Sequence, residues 1–205
     1  MSEMKVLLIN GSPHEKGCVY TALSEVAKTL QEEAIDTEIF HIGTKAVHGC
    51  IACGRCSELG KCVFSDDPVN KLIELAGSVD GFIVGSPVYY AAPNGALCAI
   101  LDRLFYAGGS ALMGKPAAAV VSCRRGGASA AFDRLNKYFT INQMPVVASQ
   151  YWNSVHGFTP EDVQKDLEGL QTMRVLARNM ARVLKNLKDV PMPASEDRLM
   201  TNFID

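Results

Sequence analysis

The chain has 205 residues, of which 48% are hydrophobic and 20% are charged, and its formal net charge is −2. This composition is that of an ordinary globular protein with one core, and the lack of a basic block argues against binding to nucleic acid or to an anionic membrane surface. The apolar segment 81–101 is interrupted by Gly85, Pro87, Pro93 and Gly95, so we do not expect it to span a membrane.

The N-terminal region does not have the pattern of a secretion signal. Its apolar run at residues 6–9 is too short for the core of a signal peptide, so we expect a cytoplasmic protein whose partners are small molecules or other proteins. Seven cysteines in that reducing compartment are not expected to form disulfides. Their spacing instead indicates a metal site.

Predicted strands and helices alternate along the chain. A continuous apolar run predicts a strand at residues 5–10, and further strands are predicted at 37–41, 81–85, 116–122 and 145–149. Helices are predicted at 19–33, 67–78, 95–107 and 129–141. Asp67 is the predicted cap of the second helix. The alternation predicts an α/β domain with a doubly wound, five-stranded parallel sheet and helices on both faces. With strand order 2-1-3-4-5, the first and third strands are neighbours, and ligands are expected at their carboxyl ends.

A long final helix and a tail complete the chain. The helix begins with the capping-box-like segment 159–162, and its apolar row continues to Leu187. We therefore predict a single domain at residues 1–190 and a C-terminal tail at residues 191–205. The tail is predicted to pack on a second subunit of a homodimer or homotetramer, and folding back on its own domain is the alternative. Its apolar residues are Leu199, Met200, Phe203 and Ile204.

The loop after the first strand is a candidate phosphate site. It reads Gly-Ser-Pro-His-Glu-Lys-Gly over residues 11–17 and leads into the first helix, whose N-terminal amides and positive dipole end suit an anion. The loop is neither a Walker sequence nor a dinucleotide GxGxxG, so we expect a phosphomonoester. An ordinary loop with a Ser-Pro turn is the alternative. The candidate contacts are Ser12, Pro13, Gly17, Cys18, Val19 and Thr21.

This loop resembles that of a known family. Gly11-Ser12-Pro13 and Gly17-Cys18-Val19 are similar to the phosphate loop of the NADPH-dependent FMN reductase-like branch of the flavodoxin-like superfamily. Members more often have Asn-Thr in place of Cys18-Val19, so backbone amides would replace two side-chain donors. Cys18 is also a candidate reactive thiol at a helix start, although simple packing is the favoured interpretation. The resemblance implies a flavodoxin-like fold and bound FMN.

The loop after the third strand is a candidate wall for the flavin ring. An isoalloxazine needs a flat apolar surface and backbone donors, which two tyrosines between two prolines can supply. The loop matches the family's Ser-Pro-Val-Tyr pattern, followed at Leu101-Asp102-Arg103 by its Leu-Asp-Arg signature. A surface turn is the alternative. The candidate residues are Pro87, Val88, Tyr89, Tyr90, Asn94 and Gly95.

A third candidate loop follows the fourth strand. Its backbone amides are suited to the pyrimidine side of a flavin, and an arginine there would stabilise negative charge on the reduced ring. Two solvated arginines are an equally good explanation. The candidate residues are Cys123, Arg124, Gly126 and Gly127. After the fifth strand, Trp152 and His156 are candidates for the open face of the flavin, with a packed core aromatic as the favoured interpretation.

Four cysteines lie close together in an insertion at residues 48–66. The spacing Cys50-x2-Cys53-x2-Cys56-x5-Cys62 is similar to the closely spaced run of ferredoxins and favours a [4Fe-4S] cluster, because structural zinc usually takes two well-separated CxxC pairs. Zinc and free or redox-active thiols remain alternatives. The spacing also resembles the compact motif of the iron-sulfur flavoproteins, which share the flavodoxin-like scaffold.

Together these motifs predict an FMN-dependent oxidoreductase. We expect it to pass electrons through flavin N5 between NAD(P)H or a ferredoxin-like donor and an acceptor, with no side chain acting as the catalytic group. One alternative is an NAD(P)H:quinone or flavin reductase without a cluster. Another is a non-enzymatic flavin electron carrier.

Overall fold

In the computed structural model, residues 4–194, 196–197, 199 and 201 are described. A parallel sheet forms the centre of the domain. Its strands are β1 (Lys5–Asn10), β2 (Asp36–His41), β3 (Gly81–Tyr89), β5 (Ala117–Cys123) and β6 (Ser154–His156), and a two-residue strand, β4 (Ala92–Pro93), pairs antiparallel with the end of β3. The parallel strands lie in the order β2-β1-β3-β5-β6. The predicted doubly wound order is therefore confirmed, with β4 as a short addition.

Helices connect the strands and cover both faces of the sheet. They are α1 (Cys18–Glu32), α2 (Cys56–Leu59), α3 (Val69–Gly77), α4 (Gly95–Gly108), α5 (Ala128–Ile141), α6 (Pro160–Lys165) and α7 (Leu167–Leu187). Among the described residues, none of these helices combines the length and the apolarity that crossing a bilayer would require.

The alternation of side chains on β1 divides the core into two layers. Val6 and Leu8 pack with α1 and α7 on one face, and Leu7 and Ile9 pack with α3 and α4 on the other. All four side chains are 0% exposed. Because helices cover both faces, the strand is apolar throughout instead of alternating with polar residues.

The fifth parallel strand lies at Ser154–His156 and not at the predicted residues 145–149. The predicted segment makes a single bridge, between Val146 and Ala117, whereas Ser154 pairs with Val121. Val146 and Ser154 are eight positions apart, but their partners on β5 are only four apart. The intervening residues therefore leave the sheet edge as a loop.

The predicted final helix is two helices. Its predicted capping box is confirmed, since Thr159 and Asp162 exchange hydrogen bonds at the start of α6. Asp166 then breaks the helix and caps α7, accepting from the amide of Gly169 at 2.9 Å.

Only part of the C-terminal tail is described. The side chain of Met192 lies over Gly114 of the same chain, and Leu199 is 95% exposed. Met200, Phe203 and Ile204 lie outside the described residues. Packing of the tail on a second subunit stays a prediction.

Candidate cofactor site and cysteine loop

The three predicted binding loops lie at the carboxyl ends of β1, β3 and β5, which are adjacent strands. We call residues 11–17 the phosphate loop, residues 86–94 the tyrosine loop and residues 123–127 the arginine loop. Asn94 donates to the carbonyl oxygen of Gly11 at 3.0 Å, and a Cβ on Gly127 would lie 2.8 Å from Cα of Ala91. The tyrosine loop therefore contacts both of the others.

The phosphate loop is held in shape by its own short hydrogen bonds. Asn10, which is fully buried, accepts from the amide of Ser12 at 3.1 Å and donates to the carbonyl of Glu15 at 2.9 Å. The hydroxyl of Ser12 accepts from the amide of His14 at 3.1 Å. Ser12 and Pro13 therefore lie where predicted, but the residue that shapes the loop is Asn10. Asn10 gave no signal in the sequence because it is the last residue of an apolar strand.

The start of α1 leaves backbone amides available at the end of this loop. In the described part of the chain no side chain caps the helix at Gly17, and the amides of Cys18, Val19 and Tyr20 have no partner within the helix. The Thr21 hydroxyl donates to the carbonyl of Gly17 at 3.2 Å. Of these three residues, Cys18 lines a pocket of about 550 Å³ that lies between residues 13–18 and 158–160. Uncapped amides beside an open pocket fit a phosphate group.

Cys18 has the environment of a packed thiol. Its sulfur lies 4.0 Å from the carbonyl oxygen of Gly157, and it packs against the core layer of α1. Burial raises the pKa of the Cys18 thiol, which is the opposite of the depressed pKa of a reactive cysteine. The structure therefore agrees with the packing interpretation.

The tyrosine loop presents aromatic rings to the solvent. Tyr89 is 44% exposed and Tyr90 is fully exposed, and a positive φ of 50° at Tyr90 and 59° at Ala91 turns the chain from β3 into β4. Pro87 and Val88 form the last part of β3. Asn94 caps α4, accepting from Ala96 at 2.8 Å. Gly95 is the first residue of that helix.

The arginine loop combines buried and exposed residues. Cys123 is buried, and burial raises the pKa of its thiol. Arg124, Arg125 and Gly126 are exposed. Gly127 has a φ of 87°, a conformation that favours glycine. The loop therefore offers two exposed cations at the same sheet edge as the tyrosines.

The aromatic pair just before β6 is exposed. Trp152 is 58% and Tyr151 60% exposed, and their ring centroids are 5.2 Å apart. The interpretation of Trp152 as a packed core aromatic is therefore wrong. His156, also exposed, lies on β6, and its amide donates to Asp166 at 2.6 Å.

We call residues 48–67, between β2 and α3, the cysteine loop. Its four clustered cysteines all line one pocket of about 150 Å³, together with residues of α4. Two of them are exposed and two are half-buried. They are Cys50, Cys53, Cys56 and Cys62. The structure thus places the four predicted ligands around one pocket, and residues of α4 form part of its wall.

Arg103 of α4 forms the floor of this pocket. The residue is 2% exposed, and its Nε donates to the sulfur of Cys62 at 3.1 Å. It also pairs with Asp67, a contact in which both side chains are almost completely buried. Burial disfavours the charged guanidinium, but the hydrogen bonds that it donates to Asp67 and Cys62 outweigh that effect and raise the pKa of Arg103. In the sequence, Arg103 is recognisable only as part of a family signature.

Asp67 and Asn70 hold the end of the cysteine loop. Asp67 accepts from the amide of Val69 at 3.2 Å, so its predicted capping contact is present, although α3 begins two residues later. The Asn70 side chain accepts from the amide of Cys62 at 2.8 Å and donates to its carbonyl at 3.0 Å. The backbone of Cys62 is therefore held from both sides. Asn70 gave no signal in the sequence, because polar residues are common on the exposed faces of helices.

The thiols are not arranged for a single ion. Within the described residues, no three side chains of histidine, cysteine, aspartate or glutamate come together as ligands of one metal ion. A zinc site requires such convergence on one centre. A cubane takes one thiolate at each of four irons, so that its ligands surround a larger group. The four cysteines therefore share one pocket, and within the described residues they do not form a closed ligand set for one ion.

Comparison with known proteins identifies the family. The family model for NADPH-dependent FMN reductase matches residues 4–159. An iron-sulfur flavoprotein of Methanocaldococcus jannaschii is 34% identical over 193 residues, covering 90% of this chain and 100% of the relative. A second iron-sulfur flavoprotein of that organism is 29% identical and covers 89% and 98%. The chain therefore belongs to the NADPH-dependent FMN reductase family of flavin oxidoreductases.

Solved structures agree on the fold. RosB with bound 8-demethyl-8-formylriboflavin-5'-phosphate aligns with a TM-score of 0.69 at 13% identity, covering 98% of this chain and 92% of that chain. A flavodoxin, WrbA-like protein of Agrobacterium tumefaciens aligns with a TM-score of 0.63 at 13% identity, covering 90% and 99%. The predicted flavodoxin-like fold is confirmed.

Proposed function

We propose that this chain is an FMN-dependent oxidoreductase that also holds a [4Fe-4S] cluster on Cys50, Cys53, Cys56 and Cys62. It passes electrons between NAD(P)H or a ferredoxin-like donor and an acceptor. The observation that carries the proposal is the pocket lined by all four cysteines and floored by Arg103. The names of the curated relatives support the same conclusion.

The three loops have separate tasks in binding FMN. The amides at the start of α1 bind the phosphate, because they are uncapped and lie at the positive end of the helix. The tyrosine loop would hold one side of the flavin ring, and the arginine loop would hold its pyrimidine edge. When bound, FMN supplies transfer of either one or two electrons at N5. No side chain is needed as a catalytic acid or base.

The cysteine loop supplies the second redox site. When bound, the cluster supplies one-electron exchange at a potential set by its surroundings. The exposure of Cys50 and Cys53 places two of the four ligands at the protein surface, where a carrier protein can approach. The exposed Arg124 and Arg125 add positive charge at the FMN edge, which favours an acidic carrier or the phosphates of NAD(P)H.

Purification without oxygen tests the proposal. We expect one FMN and about four irons per chain, with a broad absorption near the flavin bands that bleaches on reduction. FMN without iron or zinc would reject the cluster and leave an NAD(P)H:quinone or flavin reductase. A colourless protein that does not take up FMN would reject the proposal as a whole. Anaerobic oxidation of NADPH then separates an enzyme from an electron carrier.

A further inference from the structure

Among the described residues, Arg103 is the largest side chain that is almost completely buried, and the hydrogen bonds of its guanidinium all go to the cysteine loop. Besides Cys62, the guanidinium donates to the carbonyl oxygens of His48 at 3.1 Å and of Phe64 at 3.5 Å, and to the carboxylate of Asp67. One rigid group of α4 thus contacts the first residue of the loop, its last residue and its last cysteine.

This arrangement uses properties that only arginine has. A guanidinium has five N–H donors in a fixed plane and stays charged at every accessible pH. A buried charge is strongly unfavourable unless it is paired, and Asp67 provides that pair. A planar group with several fixed partners restricts a twenty-residue loop much more than a single contact would.

We infer that Arg103 is a positioning residue for the iron-sulfur site: it holds the cysteine loop in its ligating shape, and its Nε–H, donated to the sulfur of Cys62, raises the reduction potential of the cluster. The inference rests on the proposed function, since it concerns the cluster. A donor to a ligand sulfur stabilises the reduced cluster more than the oxidised one, because reduction adds negative charge.

Asp67 acts in the opposite direction on the potential. Its buried carboxylate neutralises the charge of the guanidinium. The cluster is therefore influenced by the N–H donor of Arg103 but not by a net positive charge. Replacing the carboxylate with an amide retains a hydrogen-bond acceptor of similar shape but leaves the positive charge of Arg103 without a counter-charge. The two residues therefore shift the potential with opposite signs, which a purely structural role does not predict.

The experiment compares Arg103→Lys, Asp67→Asn and a matched control, Arg182→Lys. Lysine keeps the charge of Arg103 but loses the planar set of donors. Arg182 is exposed on α7, which covers the other face of the sheet. Each protein is purified without oxygen, its iron is quantified, and the midpoint potential of the cluster is measured by a spectroscopic redox titration. Hydrogen exchange of residues 48–67 is measured in the metal-free proteins.

For Arg103→Lys we expect an about tenfold lower ratio of reduced to oxidised cluster at a fixed potential. For a one-electron couple, this corresponds to a midpoint potential that is lower by about 59 mV. Asp67→Asn is expected to raise the midpoint, and Arg182→Lys to leave it unchanged. Residues 48–67 of metal-free Arg103→Lys are expected to exchange faster than those of the wild type.

The outcomes separate this inference from the proposed function. Wild-type protein without iron rejects the proposed function. A wild-type protein with four irons, combined with an unchanged midpoint in Arg103→Lys or a lowered or unchanged midpoint in Asp67→Asn, overturns the inference alone. If neither variant retains iron, the exchange measurement decides: faster exchange in residues 48–67 supports the inference, and wild-type exchange there overturns it.

Discussion

The side-chain amide of Asn94 donates a hydrogen bond to the carbonyl oxygen of Gly11 at 3.0 Å. Gly11 begins the phosphate loop and Asn94 ends the tyrosine loop, so that this buried contact connects the loop proposed for the phosphate with the loop proposed for the ring. The backbone amide of Asn94 also donates to the hydroxyl of Ser86 at 3.0 Å. The Asn94 side chain therefore connects the two parts of the proposed FMN site directly.

Asn94→Ala is expected to weaken both the fold and the binding of FMN. The substitution removes the cap of α4 and leaves the buried carbonyl of Gly11 without its donor, which together lower the free energy of unfolding by about 2 kcal/mol. Urea unfolding of the FMN-free protein and fluorescence titration with FMN measure the two effects. Asn186→Ala is the control, because its amide bonds only within its own exposed helix turn; equal effects in both variants would contradict the assignment.

Gly11→Ala tests how closely the phosphate loop approaches the sheet. A Cβ at this position would overlap the side chain of Leu97 and come within 2.7 Å of the carbonyl oxygen of Gly85. Because the second obstacle is strand backbone, the loop must move, and we expect a loss of about 1–3 kcal/mol in stability together with weaker FMN binding.

Gly77→Ala is the control for that substitution. A Cβ on Gly77 meets nothing within 4 Å, and alanine is favoured over glycine in a helix by up to about 1 kcal/mol. Its midpoint of unfolding is expected to stay the same or to rise. Wild-type FMN binding by Gly11→Ala would show that the approach of the loop is not required for the cofactor.

Cysteine substitutions distinguish the three interpretations of the cluster. Cys56→Ala removes one proposed ligand and is expected to lower the iron content far below that of the wild type, with FMN content unchanged. Cys98→Ala replaces a half-buried cysteine of α4 outside the pocket and is expected to retain iron. Elemental analysis of iron and zinc is the measurement. Zinc in the wild type that is lost in Cys56→Ala would favour a zinc site instead.

Tyr138 predicts a pH dependence of stability. Its hydroxyl donates to Asp102 at 2.5 Å, and burial together with this carboxylate raises the pKa of Tyr138 well above its ordinary value. The folded protein therefore keeps the proton at a pH where the unfolded chain releases it. Stability from this group is complete below about pH 10, the ordinary tyrosine pKa, and is lost as the pH rises above that value.

Tyr138→Phe isolates that contribution. At pH 8 we expect a loss of about 1 kcal/mol from the missing hydrogen bond, and the gap to the wild type should narrow as the pH passes 10. Urea unfolding at a series of pH values measures the gap. Tyr106→Phe serves as the control, since Tyr106 is 76% exposed. A gap that stays constant with pH would contradict the raised pKa.

Removal of residues 191–205 tests the predicted role of the tail. If the tail packs on a second subunit, the truncated protein elutes from a size-exclusion column at a larger volume than the full chain. An unchanged elution volume would favour the alternative in which the tail folds back on its own domain, as Met192 does against Gly114.

The positions of the three proposed binding loops could be predicted from the sequence because each loop follows an apolar strand directly. A short apolar run that ends at turn residues, such as residues 6–9, is typical of a strand covered on both faces, and parallel strands bring their following loops to one edge. The break between α6 and α7 could not be predicted in this way. Asp166 interrupts a continuous apolar row and accepts hydrogen bonds from the amides of Gly169 and His156. His156 belongs to β6, a strand that is too short to be recognised in the sequence.

What the sequence by itself determined is the fold, the family resemblance and the candidate ligands, since strand periodicity and cysteine spacing are local properties of the chain. Only the tertiary structure decided which residues surround those ligands. Arg103 lies 41 positions from Cys62 and 55 from His48, and no local pattern relates them. Their contact depends on α4 packing beneath the cysteine loop, where a buried guanidinium is stable only because Asp67 lies opposite it.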